Sequence, residues 1–169
     1  MSQIKNYAFI DAQNLYKGVQ SQSWDLDYYK LRQVLKDKYN VKKAYLFIGY
    51  IEGESNRYKY LQEAGFICVF KQTLEYKDKK TGKIIVKGNV DAELVLHTMI
   101  ELKNFEKAVI ITSDGDFYCL INYLIKVDKL EKLITTHSKY SSLLKFFSSY
   151  ILPIGLIKDK LKREHSRKL

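Results

Sequence analysis

Apolar and polar positions fall into blocks of two kinds along the chain. Four short runs, Tyr7-Ala8-Phe9-Ile10, Ala44-Tyr45-Leu46-Phe47-Ile48, Phe66-Ile67-Cys68-Val69-Phe70 and Ala108-Val109-Ile110-Ile111, have the length and unbroken apolar character of buried strands. Between them apolar residues recur three and four apart. Tyr28, Leu31, Val34 and Leu35 define a helix from an Asp27 cap to about Tyr39. Tyr58 and Leu61 mark a second helix, capped by Ser55 and stopped by Gly65. Leu94, Val95, Thr98, Met99 and Leu102 mark a third, opened by Asn89. Leu120, Ile121, Leu124 and Ile125 mark a fourth. Leu130 to Thr136 is a fifth strand candidate, and Ser141 to Phe147 a short amphipathic helix. Tyr150 to Ile154 contains Pro153 and therefore fits an edge strand. The alternation predicts an α/β domain in which helices cover a parallel sheet.

Two stretches break the rhythm. Leu74-Glu75-Tyr76 and Lys83-Ile84-Ile85-Val86 flank Lys77-Asp78-Lys79-Lys80-Thr81-Gly82, which predicts a small β-hairpin with a basic tip. Asp11 to Leu15 is expected as a loop, and Gly18 and Ser21 to Ser23 continue it as a polar segment carrying Trp24. That Trp is either a stacking platform for a base or a partly buried anchor. The domain is expected over residues 1–157, with 158–169 a basic helix end or tail.

Composition narrows the class. A chain of 169 residues with 46% hydrophobic content fits one domain with a sizeable core. A formal charge of +10 attracts polyanions, nucleic acid ahead of an anionic membrane, because no long basic amphipathic helix is present. Cys68 and Cys119 lie in apolar runs without metal-ligand spacing and are expected as reduced core residues. With no signal-peptide pattern and no apolar run of membrane-spanning length, a cytoplasmic protein without a membrane partner is expected.

The chemistry gathers at Thr112-Ser113-Asp114-Gly115-Asp116-Phe117, which follows a strand and precedes a helix. Carboxylates there either cap the helix or hold a cation, and the motif alone balances the two readings. Asp11, at the end of the first strand, repeats the arrangement. A helix leading into a parallel strand starts at the same sheet edge, so Asp91 joins Asp11, Asp114 and Asp116 there. Two unit charges about 4 Å apart repel by roughly 4 kcal/mol at an effective dielectric of about 20. Four carboxylates together therefore point to a hard cation, Mg²⁺ or Mn²⁺, and to phosphodiester chemistry that needs no Ser, Cys or His nucleophile. Asn14 is either a loop or capping residue or a phosphate or metal contact, and Glu93 is a favourable first-turn acid. Lys79, Lys80 and Lys87 belong to a lysine-rich hairpin that is either a solvated tip or a phosphate-contacting arm. His97 and His137 are isolated and receive no catalytic role, and no Walker-type glycine-rich loop is present.

Three blocks, Phe9-Ile10-Asp11-Ala12-Gln13-Asn14-Leu15, Lys87-Gly88-Asn89-Val90-Asp91 and Thr112 to Phe117, resemble the NYN domains of the PIN-like nuclease superfamily, particularly its LabA-like branch. The resemblance implies a three-layer α/β/α, Rossmann-like fold with a mainly parallel sheet. It also implies a Mg²⁺- or Mn²⁺-dependent ribonuclease with metal ligands at Asp11, Asp91, Asp114 and Asp116. Asn14 and Ser113 match family positions beside the acids, expected to orient substrate or water, with Lys79, Lys80 and Lys87 contacting RNA. The chain departs from many relatives at His97, where they carry a further Asp, and Glu93 is the nearest acid to replace it. The expected activity is thus a metal-dependent endoribonuclease. The alternatives are a non-catalytic RNA-binding module and a metal-dependent phosphatase or nucleotide hydrolase. Edge strands and an apolar C-terminal helix leave room for a homodimer.

Overall fold

The computed structural model describes residues 3–164. Its centre is a six-stranded, all-parallel sheet in the order β3-β2-β1-β6-β7-β8. The strands are β1 (Asn6–Asp11), β2 (Val41–Tyr50), β3 (Ile67–Gln72), β6 (Ala108–Ile111), β7 (Leu130–Thr135) and β8 (Ile151–Pro153). A separate antiparallel hairpin pairs β4 (Leu74–Lys77) with β5 (Ile84–Lys87). The helices are α1 (Ala12–Gln20), α2 (Tyr28–Tyr39), α3 (Ser55–Glu63), α4 (Asp91–Ile100), α5 (Tyr118–Lys126) and α6 (Lys158–Leu161).

Strand side chains alternate between the two faces of the sheet, and this splits the core in two. Ala8 and Ile10 of β1, Leu46 of β2 and Val109 of β6 pack with Leu15, Leu31, Leu35 and Leu61 from α1, α2 and α3. Phe9, Phe47 and Ile110 face the other way, against Leu94 of α4 and Leu120, Ile121 and Leu124 of α5. The result is the three-layer α/β/α arrangement. Central strands buried on both faces need the continuous apolar runs that the sequence shows.

Local chemistry sets the helix ends. Asp27 caps α2 by accepting the Lys30 amide at 3.2 Å, and Asn40 closes it in the left-handed region at φ 52°. Chain order leaves β1 toward β2 and β3, then returns to the opposite side through β6, β7 and β8. The sheet therefore switches direction between β1 and β6, where α/β sheets open a crevice at the strand C-termini.

Several local expectations are corrected. Asp11 to Leu15 and Gly18 are not loop: α1 starts directly after β1, with Asp11 as its cap accepting the Asn14 amide at 3.1 Å. Ala12, Leu15 and Val19 carry its buried stripe, and the polar residues between them hid it. Trp24 is buried as an anchor at 8% exposure. β3 is the sheet edge rather than a buried strand, with Ile67 and Phe70 exposed, because an apolar run does not reveal its place in the order. Ser55 is the first residue of α3, not its cap, and Glu54 at that position makes no side-chain capping bond. Val90, not Asn89, is the residue preceding α4, although the Asn89 side chain still accepts the Asp91 amide at 2.9 Å. Ser142–Tyr150 is 3₁₀ rather than α-helical, with Leu144 and Phe147 buried. Cys119 is exposed and Cys68 half-buried, so neither is a core residue. Leu161 is fully buried, and Asp25 and Leu26 pair with the segment around Lys162. The expected tail beyond Glu164 lies outside the described residues.

Candidate metal centre

The crevice between β1 and β6 is lined by four acids that three elements deliver. Asp11 ends β1, Asp91 opens α4, and Asp114 and Asp116 belong to the turn that follows β6. One carboxylate oxygen from each of Asp91, Asp114 and Asp116 lies within 4.8 Å of the others. Asp11 is buried and outside that grouping but close enough to feel the charges of Asp91 and Asp114. None of the four forms an ion pair among the described residues.

The turn is tightly built. Asp114 caps the 3₁₀ segment Gly115–Phe117, accepting the Asp116 amide at 2.9 Å, while its own amide donates to Thr112 Oγ1 at 3.1 Å. Gly115 is needed because a Cβ there would collide with the Ser141 side chain. Capping and clustering, the two readings that the sequence left balanced, coexist: Asp114 Oδ1 serves the turn and the carboxylate also joins the cluster.

Asn14 and Ser113 lie on the floor of the crevice. Asn14 Oδ1 accepts the Ser113 amide at 2.8 Å and the Thr136 hydroxyl at 2.5 Å. Ser113 Oγ accepts the amides of Thr136 at 2.7 Å and His137 at 2.9 Å. These bonds lock α1, the end of β6 and the end of β7 together. Thr136 and His137 escaped sequence reasoning. The signal available was their place at the C-terminal end of β7, which neighbours β6. Gly18 completes the floor, because a Cβ there would stand 2.5 Å from the Thr136 carbonyl oxygen.

Burial and mutual repulsion tune the acids. Burial pushes Asp11 up to about 6, aided by Asp91 and Asp114 and opposed by the Asn14 amide and Lys17. Asp91 is also raised, first by burial and then by Asp114 and Asp116, against the Asn89 side chain and Lys71. Two carboxylates, Asp11 and Asp91, that resist ionisation and form no ion pair among the described residues suit a cation. The donor set is all oxygen, which fits Mg²⁺ or Mn²⁺ and disfavours a soft metal.

Lys79 and Lys80 stand exposed at the hairpin tip, and Lys87 Nζ sits 5.5 Å from the Tyr76 ring centre. The lysine beside the cluster is Lys71, unpredicted, which donates to the Asn89 carbonyl at 2.6 Å and pairs with Glu93 at 3.1 Å. Glu93 is thereby occupied.

The model of the NYN domain matches residues 6–152 of the chain. The chain belongs to the NYN domain family. NYN domains fall within the PIN-like nuclease superfamily and are generally hydrolases. No curated protein matches this NYN domain in sequence. Among solved structures it is similar to the crystal structure of a protein of unknown function from Vibrio parahaemolyticus. The TM-score is 0.73 at 18% identity, over 96% of this chain and 100% of that one, a likeness of fold. Where many NYN relatives carry a further Asp, His97 of this domain packs on Tyr45 and Phe47, with ring centres 4.6 and 5.6 Å away. That position belongs here to the aromatic core. No helix among the described residues is long and apolar enough to cross a membrane.

Proposed function

We propose that this NYN domain is a Mg²⁺- or Mn²⁺-dependent endoribonuclease that hydrolyses RNA phosphodiester bonds at the crevice between β1 and β6. The observation that carries the reading is the convergence of Asp91, Asp114 and Asp116, without ion-pair partners, in a protein of net charge +10. These three would hold the cation, with Asp11 completing the set. A divalent cation held there lowers the pKa of a bound water and stabilises charge on a phosphoryl oxygen.

The chain's own groups do the rest. The locked floor of Asn14, Ser113 and Thr136 keeps Asp11 and Asp114 at fixed separation as charge shifts during the reaction. The Asn14 side-chain nitrogen, Nδ2, makes no hydrogen bond among the described residues and is the donor offered to a phosphate oxygen or to the attacking water. Ser113 contributes by position, since its hydroxyl is engaged by two backbone amides. Lys79, Lys80 and Lys87 present an exposed basic arm to the RNA backbone.

The test is cleavage of end-labelled single-stranded and structured RNA in Mn²⁺, Mg²⁺ or EDTA, beside Asp114→Asn with its fold checked by circular dichroism. Cleavage is expected only with metal. The variant is expected to lose about 100-fold or more, at or beyond the upper end of what losing a support of a metal ligand costs. RNA that is bound but left intact under every metal overturns the enzyme in favour of a binding module. Action on mononucleotides alone would make it a phosphatase.

A further inference from the structure

A second concave site lies on the layer formed by α1, α2 and α3. It is a cavity of about 290 Å³ closed at one side by the segment that follows α6. Its walls include four aromatic side chains, Tyr16, Trp24, Tyr28 and Tyr60, and one acid, Asp25. Two guanidinium groups frame it. Arg57 stands over the Tyr16 ring at 5.4 Å, and Arg163 over the Tyr60 ring at 5.6 Å, where it also donates to the Tyr60 hydroxyl at 3.3 Å. Neither guanidinium is in an ion pair among the described residues.

Trp24 is 8% exposed and lines the cavity, with its indole N–H shielded from solvent and without a partner among the described residues. Tyr16, by contrast, is 47% exposed, too open for a core residue and well placed for a face that receives something.

The ligand must therefore combine a flat body for the aromatic side chains and an anionic group for the arginines. A nucleotide has both, a base and a phosphate. The volume is at the small end for ligand pockets and suits one nucleotide rather than a larger cofactor. The pocket and the acidic crevice share a helix. Asp11 caps α1, and Tyr16 lies five residues along it, about 7.5 Å at 1.5 Å per residue.

We infer that the Tyr16–Trp24–Arg57–Arg163 pocket binds one nucleotide of the RNA strand whose backbone runs into the acidic crevice. Resting on the nuclease reading for the source of that nucleotide, the inference assigns the pocket the task of anchoring the strand at a fixed offset from the cut.

Trp24 is the sole tryptophan, so its fluorescence reports the pocket directly. The experiment titrates AMP, GMP, CMP and UMP into the full chain in EDTA, with excitation near the red edge and inner-filter correction. Sodium phosphate is the anion control. A saturable change is expected with at least one nucleotide and not with phosphate. Tyr16→Ala and Arg57→Ala, both at positions open enough to keep the fold, are each expected to weaken it about tenfold. Asp114→Asn is expected to leave it intact, so failure of catalysis and failure of the pocket are read separately. No saturable change, an equal response to phosphate, or binding unaltered in both pocket variants overturns the inference.

Discussion

The floor of the acidic crevice and the hairpin beside it are made of opposite materials. On the floor, Asp11, Ser113 and Thr136 are buried polar residues, and with Asn14 they make bonds that cap α1 and tie it to the ends of β6 and β7. The β4–β5 hairpin has no buried residue in either strand and spends its lysines on solvent. A polar group in a low-dielectric place is worth having only when fully satisfied, so the floor is rigid and intolerant. A charge in water is cheap to hold and cheap to lose, so the arm is free to vary. Within one site, geometry is thus assigned to one region and long-range attraction to the other.

The sharpest way to break the contrast is through Asp11. The folded, metal-free protein binds its proton more tightly than the unfolded chain does, since its pKa rises from the ordinary 3.8 to about 6. Stability contributed by this group is therefore present below about pH 4, and is lost as pH climbs through about 6. Denaturant unfolding in EDTA should show Asp11→Asn more stable than the parent at pH 7.5, by up to about 3 kcal/mol, with the difference vanishing near pH 4. Added Mn²⁺ should narrow the gap by stabilising the parent alone. An equal pH dependence in the two proteins would show that Asp11 is not strained.

The next largest effect is expected at Gly18. Gly18→Ala drives a methyl group against the Thr136 carbonyl. It should lower unfolding free energy by about 2 kcal/mol, the usual scale of overpacking, and lower RNA cleavage with it. A thermal midpoint unchanged from the parent would mean that the floor yields more easily than its bonding implies.

The smallest effect on stability belongs to the arm. The double change Lys79→Ala with Lys80→Ala should leave stability within about 0.5 kcal/mol. It should weaken RNA binding at low salt and cut the salt dependence by roughly 0.7 per lost phosphate contact. Binding by filter retention across a salt series checks this, and an unchanged slope removes the tip from the RNA interface.

Much of this molecule was legible before folding. The runs at Tyr7–Ile10, Ala44–Ile48 and Ala108–Ile111 announced central strands because a strand covered on both faces must be apolar throughout. Asp11, Asp91, Asp114 and Asp116 were placed at one edge by βαβ connectivity alone, because with short connections a helix leading into a parallel strand starts at the edge where the strands end. The hairpin was visible from its turn residues, since only a few sequences bend so sharply. Helix α1 was obscured because Asp11, Gln13, Asn14 and Gly18 resemble a loop locally, and Gly18 serves a contact with Thr136, 118 positions away.

The sequence by itself determined the layers, the strand identities and the acid-bearing edge, because hydrophobic period and chain connectivity are local properties. The tertiary structure decided which acids meet. It brought Asp91, Asp114 and Asp116 together, buried Asp11 within reach of the Asp91 and Asp114 charges and paired Glu93 with Lys71. It also placed Tyr16, Trp24, Arg57 and Arg163 around one cavity. Such meetings depend on how far α1 lies from β7 and how the C-terminal segment returns to the loop before α2. Those distances follow from side-chain packing across the whole core, and no single stretch of sequence encodes them.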